Sequence, residues 1–216
     1  MLIAIPIYEG VDLLDVTGPY EMFSWVPTAK GVQCNVLSED GKPVTSVNGL
    51  RFEAHGSFED FRDIDVLWVP GGSPEALVKI MSNPQSRYLD FLAAVAPHAQ
   101  WVCSVCEGAL LLARAGLLDE HRATTHWAFV SCLQRFKKVT VDTGNPRWVI
   151  SGNRLTGGGI SSGLDEALKL IELLYDESVA QEVQITTQYF PDPPVRGSIP
   201  PPPVCPLGGH DWSPPP

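Results

Sequence analysis

Residues 101–113, WVCSVCEGALLLA, join a short apolar run to a stretch that is apolar on nearly every helical face. The run at 101–105 shows no clear alternation, which is typical of a strand covered by helices on both faces. The stretch after Cys106 predicts a buried helix that ends near Gly116. Together the two predict a sharp strand-to-helix turn, a nucleophile elbow, with Cys106 at the turn.

The same kind of apolar run occurs three more times, at residues 2–8, 32–37 and 65–69. Helical patterns lie at 18–25, 85–96, 127–136 and 160–175, and strands or a hairpin are predicted at 138–141 and 148–155. Strands that alternate with helices form a mostly parallel sheet. The fold class predicted from these patterns is therefore α/β.

Composition limits the classes of function. The chain has 216 residues, 44% of them hydrophobic and 19% charged, as expected for one globular domain. Its formal net charge of −10 repels phosphate backbones and anionic lipids, so neither nucleic acid nor a membrane is predicted as a partner. No apolar run approaches the roughly 20 residues that span a bilayer, and no basic leader is present, so we expect a cytoplasmic protein.

Five cysteines form an odd set without the dense spacing of a disulfide scaffold, so reduced thiols are expected. Cys103 and Cys106 make a C-x-x-C, but no second pair and no histidine at ligand spacing accompanies them, which disfavours zinc. A redox dithiol is also disfavoured, because this separation along a strand places the two side chains on opposite faces. We therefore predict neither a metal nor a cofactor.

Eleven of the twenty prolines follow Gln188. This composition predicts an α/β domain at residues 1–190 and a Pro-rich tail, not a second domain, at 191–216. Cys205 and Trp212 within the tail could dock on the body or on a neighbouring subunit, and the alternative is an exposed, mobile tail.

Cys106 is the first candidate catalytic residue. At a strand-to-helix turn it would lie at the carboxyl edge of the sheet, where helix amides and the positive dipole end stabilise a thiolate. The alternative interpretation is a buried free cysteine packed as a small hydrophobe.

Asp15 lies in the segment 13–21, LLDVTGPYE, which follows the first strand. Its apolar neighbours predict a sheltered carboxylate with a raised pKa that shuttles a proton or activates water. The alternative is a capping residue for a helix that begins near Pro19.

Two glycine-rich turns complete the set. Residues 69–73, VPGGS, follow another buried strand, and the paired glycines favour either an oxyanion contact or an ordinary tight turn. Residues 155–163, LTGGGISSG, match neither a P-loop nor a dinucleotide fingerprint. Their backbone either lines a small pocket or serves close packing.

Taken in order, the segments LLDVTGPYE, VPGG, SVCEG, RATTHW (122–127), LTGGGI and VQITTQYFPDPP (183–194) resemble the ThiJ/PfpI superfamily of the class I glutamine amidotransferase-like fold. Within it the sequence is similar to the isocyanide (isonitrile) hydratases, over about residues 1–195. The resemblance implies a flavodoxin-like three-layer sandwich and a homodimer. It also implies hydration of a small-molecule isocyanide to an N-substituted formamide, without metal or cofactor.

The resemblance assigns roles to individual residues. It implies that the thiolate of Cys106 attacks the isocyanide carbon to form a thioimidate, and that Asp15 is the general acid and base. Gly72, Ile160 and the amide of Glu107 are expected to line the substrate site.

Glu107 departs from the hydratase pattern, which has a small hydroxyl residue at this position. We expect its carboxylate to raise the pKa of Cys106 by like-charge repulsion unless Glu107 is protonated or turned away. Other superfamily members have a histidine directly after the cysteine, so peptide hydrolysis is disfavoured. His126 is interpreted as a structural or capping residue or, alternatively, as a base.

Two other functions remain open within the same superfamily. One is a small-molecule sensing module, since similar domains precede helix-turn-helix segments in some regulators. The other is a redox or glyoxalase-like stress protein that uses the same cysteine.

Overall fold

A seven-stranded sheet forms the centre of the computed structural model, which describes residues 1–209 and residue 212. The strands in chain order are β1 (Leu2–Pro6), β2 (Gln33–Ser38), β3 (Val44–Thr45), β4 (Arg51–Phe52), β5 (Gly56–Ser57), β6 (Val66–Val69), β7 (Trp101–Ser104), β8 (Arg122–Ala123), β9 (Thr140–Val141), β10 (Trp148–Ser151) and β11 (Arg154–Gly157). The central sheet has the order β10-β11-β7-β6-β1-β2-β5, and every pairing in it is parallel except β10 with β11. The pairs β3–β4 and β8–β9 form two small sheets.

Helices cover the sheet as two packed groups. They are α1 (Leu13–Ser24), α2 (Pro74–Ser82), α3 (Arg87–Val95), α4 (Gly108–Arg114), α5 (Val130–Leu133), α6 (Ser162–Leu174) and α7 (Glu177–Thr186), with short 3-10 helices at Thr28–Lys30 and Trp127–Phe129. Helices α1, α6 and α7 pack together, and α2 to α5 pack together. This confirms the predicted α/β sandwich with a flavodoxin-like, mostly parallel sheet.

The inner strands are buried on both faces. All four residues of β6 are buried, as are all but the first residue of β1, β7 and β11. Burial on both faces explains why these segments read as apolar runs without alternation. Because β1, β6, β7 and β11 are neighbours and parallel, the loops that follow them meet at one edge of the sheet.

Helix α1 begins at Leu13, five residues before the predicted start at residue 18, and therefore contains Pro19. Proline lacks the N–H that would bond the carbonyl four residues earlier, here that of Asp15. The indole N–H of Trp68 on β6 donates to that carbonyl instead, at 3.2 Å. This side-chain hydrogen bond from a distant strand gives the Asp15 carbonyl the partner that Pro19 cannot supply.

Other boundaries differ more mildly. The predicted helix at 127–136 is divided into the 3-10 helix Trp127–Phe129 and the short helix α5. Helices α2 and α7 have no counterpart in the prediction. Both carry a side-chain N-cap, from Ser73 and Asp176 respectively, which is a signal that the sequence contains.

The Pro-rich tail docks on the body of the protein. Residues 191–204 are exposed, but Cys205, Leu207 and Trp212 are buried, and Trp212 Nε1 donates to Ser82 Oγ at 3.2 Å. This confirms docking among the alternatives for Cys205 and Trp212. Residues 210, 211 and 213–216 of the predicted tail lie outside the described residues.

A disulfide between Cys132 and Cys205 holds the tail to α5. The expectation that all five thiols are reduced is therefore wrong for this pair. The two residues are 73 positions apart, so their meeting depends on tertiary packing and not on local spacing. Cys34, Cys103 and Cys106 are free thiols.

Among the described residues, no helix combines the length and the apolar character that crossing a bilayer requires.

Candidate active site

Cys106 stands between β7 and α4 in a left-handed conformation, with φ of 56°. Such a value costs a non-glycine residue of the order of 1 kcal/mol and persists only where neighbours enforce it. The Cys106 N–H donates to the Gly158 carbonyl at 2.8 Å, and the Thr125 hydroxyl donates to the Cys106 carbonyl at 2.8 Å. The predicted elbow is thus held from both sides by loops on neighbouring elements.

Asp15 lies in the first turn of α1 and is completely buried. Its Oδ2 accepts the Gly71 N–H at 2.9 Å, so the VPGG turn after β6 fixes the carboxyl group. Asp12 occupies the cap position of α1, and therefore Asp15 is not the cap. The capping alternative for Asp15 is wrong.

The structure brings the cysteine and the acid together. One ligand atom each from Asp12, Asp15, Cys106 and Glu107 lies within 4.8 Å of all the others. Neither Cys106 nor Asp15 exposes any surface, and Glu107 exposes 5%. Four acidic groups, three of them buried and Asp12 partly buried, therefore lie together at the carboxyl edge of the sheet.

This environment opposes ionisation of the thiol. Burial raises the pKa of Cys106 well above its ordinary value, and the nearby carboxyl groups of Asp15 and Glu107 raise it further. The expected stabilisation of a thiolate by the following helix is therefore outweighed. Helix α4 is only seven residues long, and carboxyl oxygens of Asp12, Asp15 and Glu107 lie within 4.8 Å of the sulfur.

The same environment also raises the pKa values of the carboxyl groups. Burial is the largest cause of the raised pKa of Asp15, followed by the charges of Asp12 and Glu107, whereas the Gly71 N–H lowers it. Burial also raises the pKa of Glu107 to about 7, although the Cys106 thiol and the Gly72 amide lower it. The raised pKa predicted for Asp15 is confirmed, and Glu107 is not turned away from the sulfur.

The elbow borders a pocket of about 360 Å³. Gly158 and Thr125, which bond the Cys106 backbone, are part of its lining. Ile160 also lines it and is 40% exposed. Gly72 lies elsewhere, against the Tyr8 ring, with its amide directed to Glu107. Of the predicted substrate contacts, Ile160 faces this space, and Gly72 faces the acid cluster.

His126 serves as a cap. Its Nδ1 accepts the Ala128 N–H at 3.2 Å at the start of the 3-10 helix, and burial lowers its pKa. The same Nδ1 is 4.0 Å from Glu107 Oε1. The capping interpretation is confirmed, and the ring also forms one side of the pocket.

The sequence-based interpretation missed two acids. Asp12 joins the cluster because it lies one helical turn before Asp15, and that three-residue spacing is visible in the sequence. Glu166 on α6 is fully buried against Gly157, and neither carboxyl oxygen has a hydrogen-bond partner among the described residues. Its burial raises its pKa well above the usual range, and the charge of Asp15 adds to this.

The four clustered acids are also the residues best placed to hold a metal ion, since they offer three carboxylates and a thiolate. The same atoms are engaged with one another and with backbone amides, as described above for Asp15 and Glu107. A metal-free and cofactor-free site stays a prediction from the sequence.

Known proteins resemble this chain along most of its length. Isonitrile hydratase of Pseudomonas putida is 40% identical over 194 residues, which cover 90% of this chain and 81% of the relative. The HTH-type transcriptional regulator GbdR of Pseudomonas aeruginosa is 28% identical over 162 residues, 74% of this chain and 42% of the regulator. The crystal structure of a ThiJ/PfpI family protein from Pseudomonas syringae superposes with a TM-score of 0.81 at 33% identity, covering 90% of this chain and 77% of that one. Residues 1–173 match the DJ-1/PfpI family, and the chain therefore belongs to it.

Proposed function

We propose that this protein hydrates isocyanides to N-substituted formamides, with Cys106 as the nucleophile and Asp15 as the general acid and base. The observation that carries the proposal is the placement of the Cys106 sulfur and an Asp15 carboxyl oxygen within 4.8 Å of each other. The 40% identity to an isonitrile hydratase supports this reaction over others available to the same cysteine.

In the first step the Cys106 sulfur forms a bond to the terminal carbon of R–NC. The thiol proton passes to Glu107, whose pKa of about 7 makes it a suitable acceptor near neutral pH. Asp15, kept protonated by burial, donates a proton to the same carbon. The product of this step is the thioimidate Cys–S–CH=N–R.

In the second step the Asp15 carboxylate takes a proton from water while the water oxygen adds to the thioimidate carbon. The nitrogen is protonated from Glu107, and the carbon–sulfur bond breaks. This releases R–NH–CHO and leaves the sulfur as a thiolate, which takes the hydroxyl proton of the tetrahedral intermediate as the formamide carbonyl forms, while Asp15 keeps the proton it took from water. The sum is R–NC plus water giving the formamide, with every group of the protein returned to its starting state.

The pocket indicates where the R group lies. Leu14, Trp127, Pro146 and Ile160 give it a largely apolar lining. Because the thiol is fully buried, the elbow must open transiently for the isocyanide carbon to reach it. A small, neutral and linear reacting group suits such a narrow approach.

Turnover of cyclohexyl isocyanide tests the proposal. We expect the purified protein to form N-cyclohexylformamide and the Cys106→Ala variant to form none above the solvent background. Cys103→Ala is the matched control, because Cys103 is equally buried and also a free thiol. Equal formamide formation by wild type and Cys106→Ala would remove the hydratase proposal.

A small-molecule sensing role is the second candidate, supported by the match to a transcriptional regulator over 74% of this chain. A sensor would bind a ligand in the pocket without consuming it. Stoichiometric binding of isocyanides that leaves them unchanged after prolonged incubation would favour this role over the hydratase.

A further inference from the structure

The pocket beside Cys106 is completed by a residue of the Pro-rich tail. Ile199 belongs to its lining together with Ile160, Trp127 and Arg147. Ile199 follows the chain's last two helices, α6 and α7, and reaches the pocket only because the tail folds back along the body. The tail thus supplies part of the wall of this pocket.

The position of Ile199 is fixed by attachments that follow it in the chain. Ser131 Oγ donates to the Pro203 carbonyl at 2.7 Å, and the Cys132–Cys205 disulfide lies just beyond. Arg135 donates to the Gly208 carbonyl. The three anchors on the body lie on the short helix α5 or two residues beyond its end, and α5 directly follows the 3-10 helix that carries Trp127 of the same pocket.

The charge on the pocket wall is already neutralised. Arg147 forms an ion pair with Asp165 and donates to the Ser161 hydroxyl at 3.0 Å. Its guanidinium is therefore held by the protein, and the surface left for a ligand is mainly hydrocarbon. Such a pocket favours an apolar substituent over a charged one.

We propose that Ile199 is a specificity-determining residue, which contacts the hydrocarbon substituent of the substrate, and that the Cys132–Cys205 disulfide holds it in place. This deepens the proposed hydratase function and rests on it for the identity of the reacting group. Reduction by a dithiol would transfer two electrons to the disulfide and leave two thiols, while the reductant becomes a cyclic disulfide. The freed tail would then withdraw Ile199 from the wall.

The test measures binding of two products, N-cyclohexylformamide and N-methylformamide, by ligand-observed NMR titration. The proteins are wild type, Ile199→Ala, Cys205→Ser and the control Val195→Ala, which truncates another exposed aliphatic residue of the same tail outside the pocket lining. We expect Ile199→Ala to lower the cyclohexyl-to-methyl affinity ratio roughly fivefold, because the half-exposed side chain supplies part of an apolar contact. Cys205→Ser and dithiol-treated wild type should change the ratio in the same direction.

Equal ratios for Ile199→Ala and Val195→Ala would overturn the role of Ile199, as would an absence of cyclohexyl binding to wild type. An unchanged ratio in Cys205→Ser would overturn the role of the disulfide. Failure of the hydratase proposal has a different signature, because it removes formamide formation and leaves the binding ratios measurable.

Discussion

At the scale of single residues, Glu107 is the member of the acid cluster whose protonation changes near neutral pH. It lies directly beside the proposed nucleophile, where burial raises its pKa to about 7 although a hydrogen bond with the Cys106 thiol lowers it. Asp12, Asp15 and Glu166 have pKa values raised by burial as well. Near neutral pH the cluster therefore retains protons that the same groups would lose in water, which is the condition the proposed proton transfers require.

The raised pKa of Glu107 predicts a pH dependence of stability. A carboxyl group with a folded pKa above its unfolded value favours the folded state at low pH, and this contribution is lost as pH rises through the folded pKa. Between pH 4.5 and 8 the Glu107 contribution should fall by about 3 kcal/mol, from a pKa shift of 4.5 to about 7. Urea denaturation across this range measures the free energy of unfolding.

The matched variant is Glu107→Gln, which cannot ionise. The difference in unfolding free energy between Glu107→Gln and wild type should grow in favour of the variant as pH rises, since Asp12, Asp15 and Glu166 titrate in both proteins. If the unfolding free energies of wild type and Glu107→Gln changed with pH in parallel, the raised pKa of Glu107 would be contradicted.

At the scale of elements, the elbow depends on close contact between α4 and the end of β6. A Cβ added at Gly108 would collide with the Val69 carbonyl oxygen and approach the carbonyl carbon of Pro70 to 3.1 Å. These are backbone atoms in the sheet and its following turn, and they have little freedom to move. Glycine at the first position of α4 is therefore required for the elbow to sit on the sheet.

Gly108→Ala should lower the free energy of unfolding by at least about 2 kcal/mol, because overpacking against backbone cannot relax by a rotamer change. Gly197→Ala is the control, since an added Cβ there meets nothing within 4 Å. Thermal or urea unfolding of the two variants provides the comparison. A Gly108→Ala protein as stable as the control would show that α4 does not rest on β6 as described.

The disulfide determines how many cysteines can be alkylated before and after reduction. Denatured but unreduced protein should take up three alkyl groups from iodoacetamide, at Cys34, Cys103 and Cys106, and reduction should raise the number to five. In the chain-entropy account, closing a loop of this length contributes about 4 kcal/mol, so Cys205→Ser should also unfold more easily. Five alkylations without reduction, counted by intact mass, would contradict the pairing.

Several elements were predictable from the sequence. Others were not, each for its own physical reason. The inner strands and the Cys106 elbow were predicted because burial on both faces leaves a local pattern. The start of α1 was missed because Pro19 normally marks a helix start, and here Trp68 compensates for it from another strand. The sequence left a capping alternative open for Asp15, because nothing local reveals the bond from the Gly71 N–H to its carboxyl group.

At the scale of the whole molecule, distant parts of the chain meet at one edge of the sheet. Asp15 of the first helix and Cys106 from the middle of the chain meet in the acid cluster, and Ile199 of the tail lines the neighbouring pocket. The disulfide that orders the tail is unusual for a cytoplasmic protein, and the predicted location and homodimer stay predictions. The pairing of Cys132 with Cys205, 73 positions apart, could not be predicted from the local sequence pattern.

The proposed reaction requires a covalent bond between the Cys106 sulfur and the isocyanide carbon. Mass spectrometry of protein quenched by acid during turnover of cyclohexyl isocyanide tests this directly, after digestion to the peptide that contains Cys106. We expect a mass gain equal to one whole isocyanide on Cys106, absent from Cys106→Ala. Formamide production without such an adduct, or an adduct confined to Cys34 or Cys103, would contradict it.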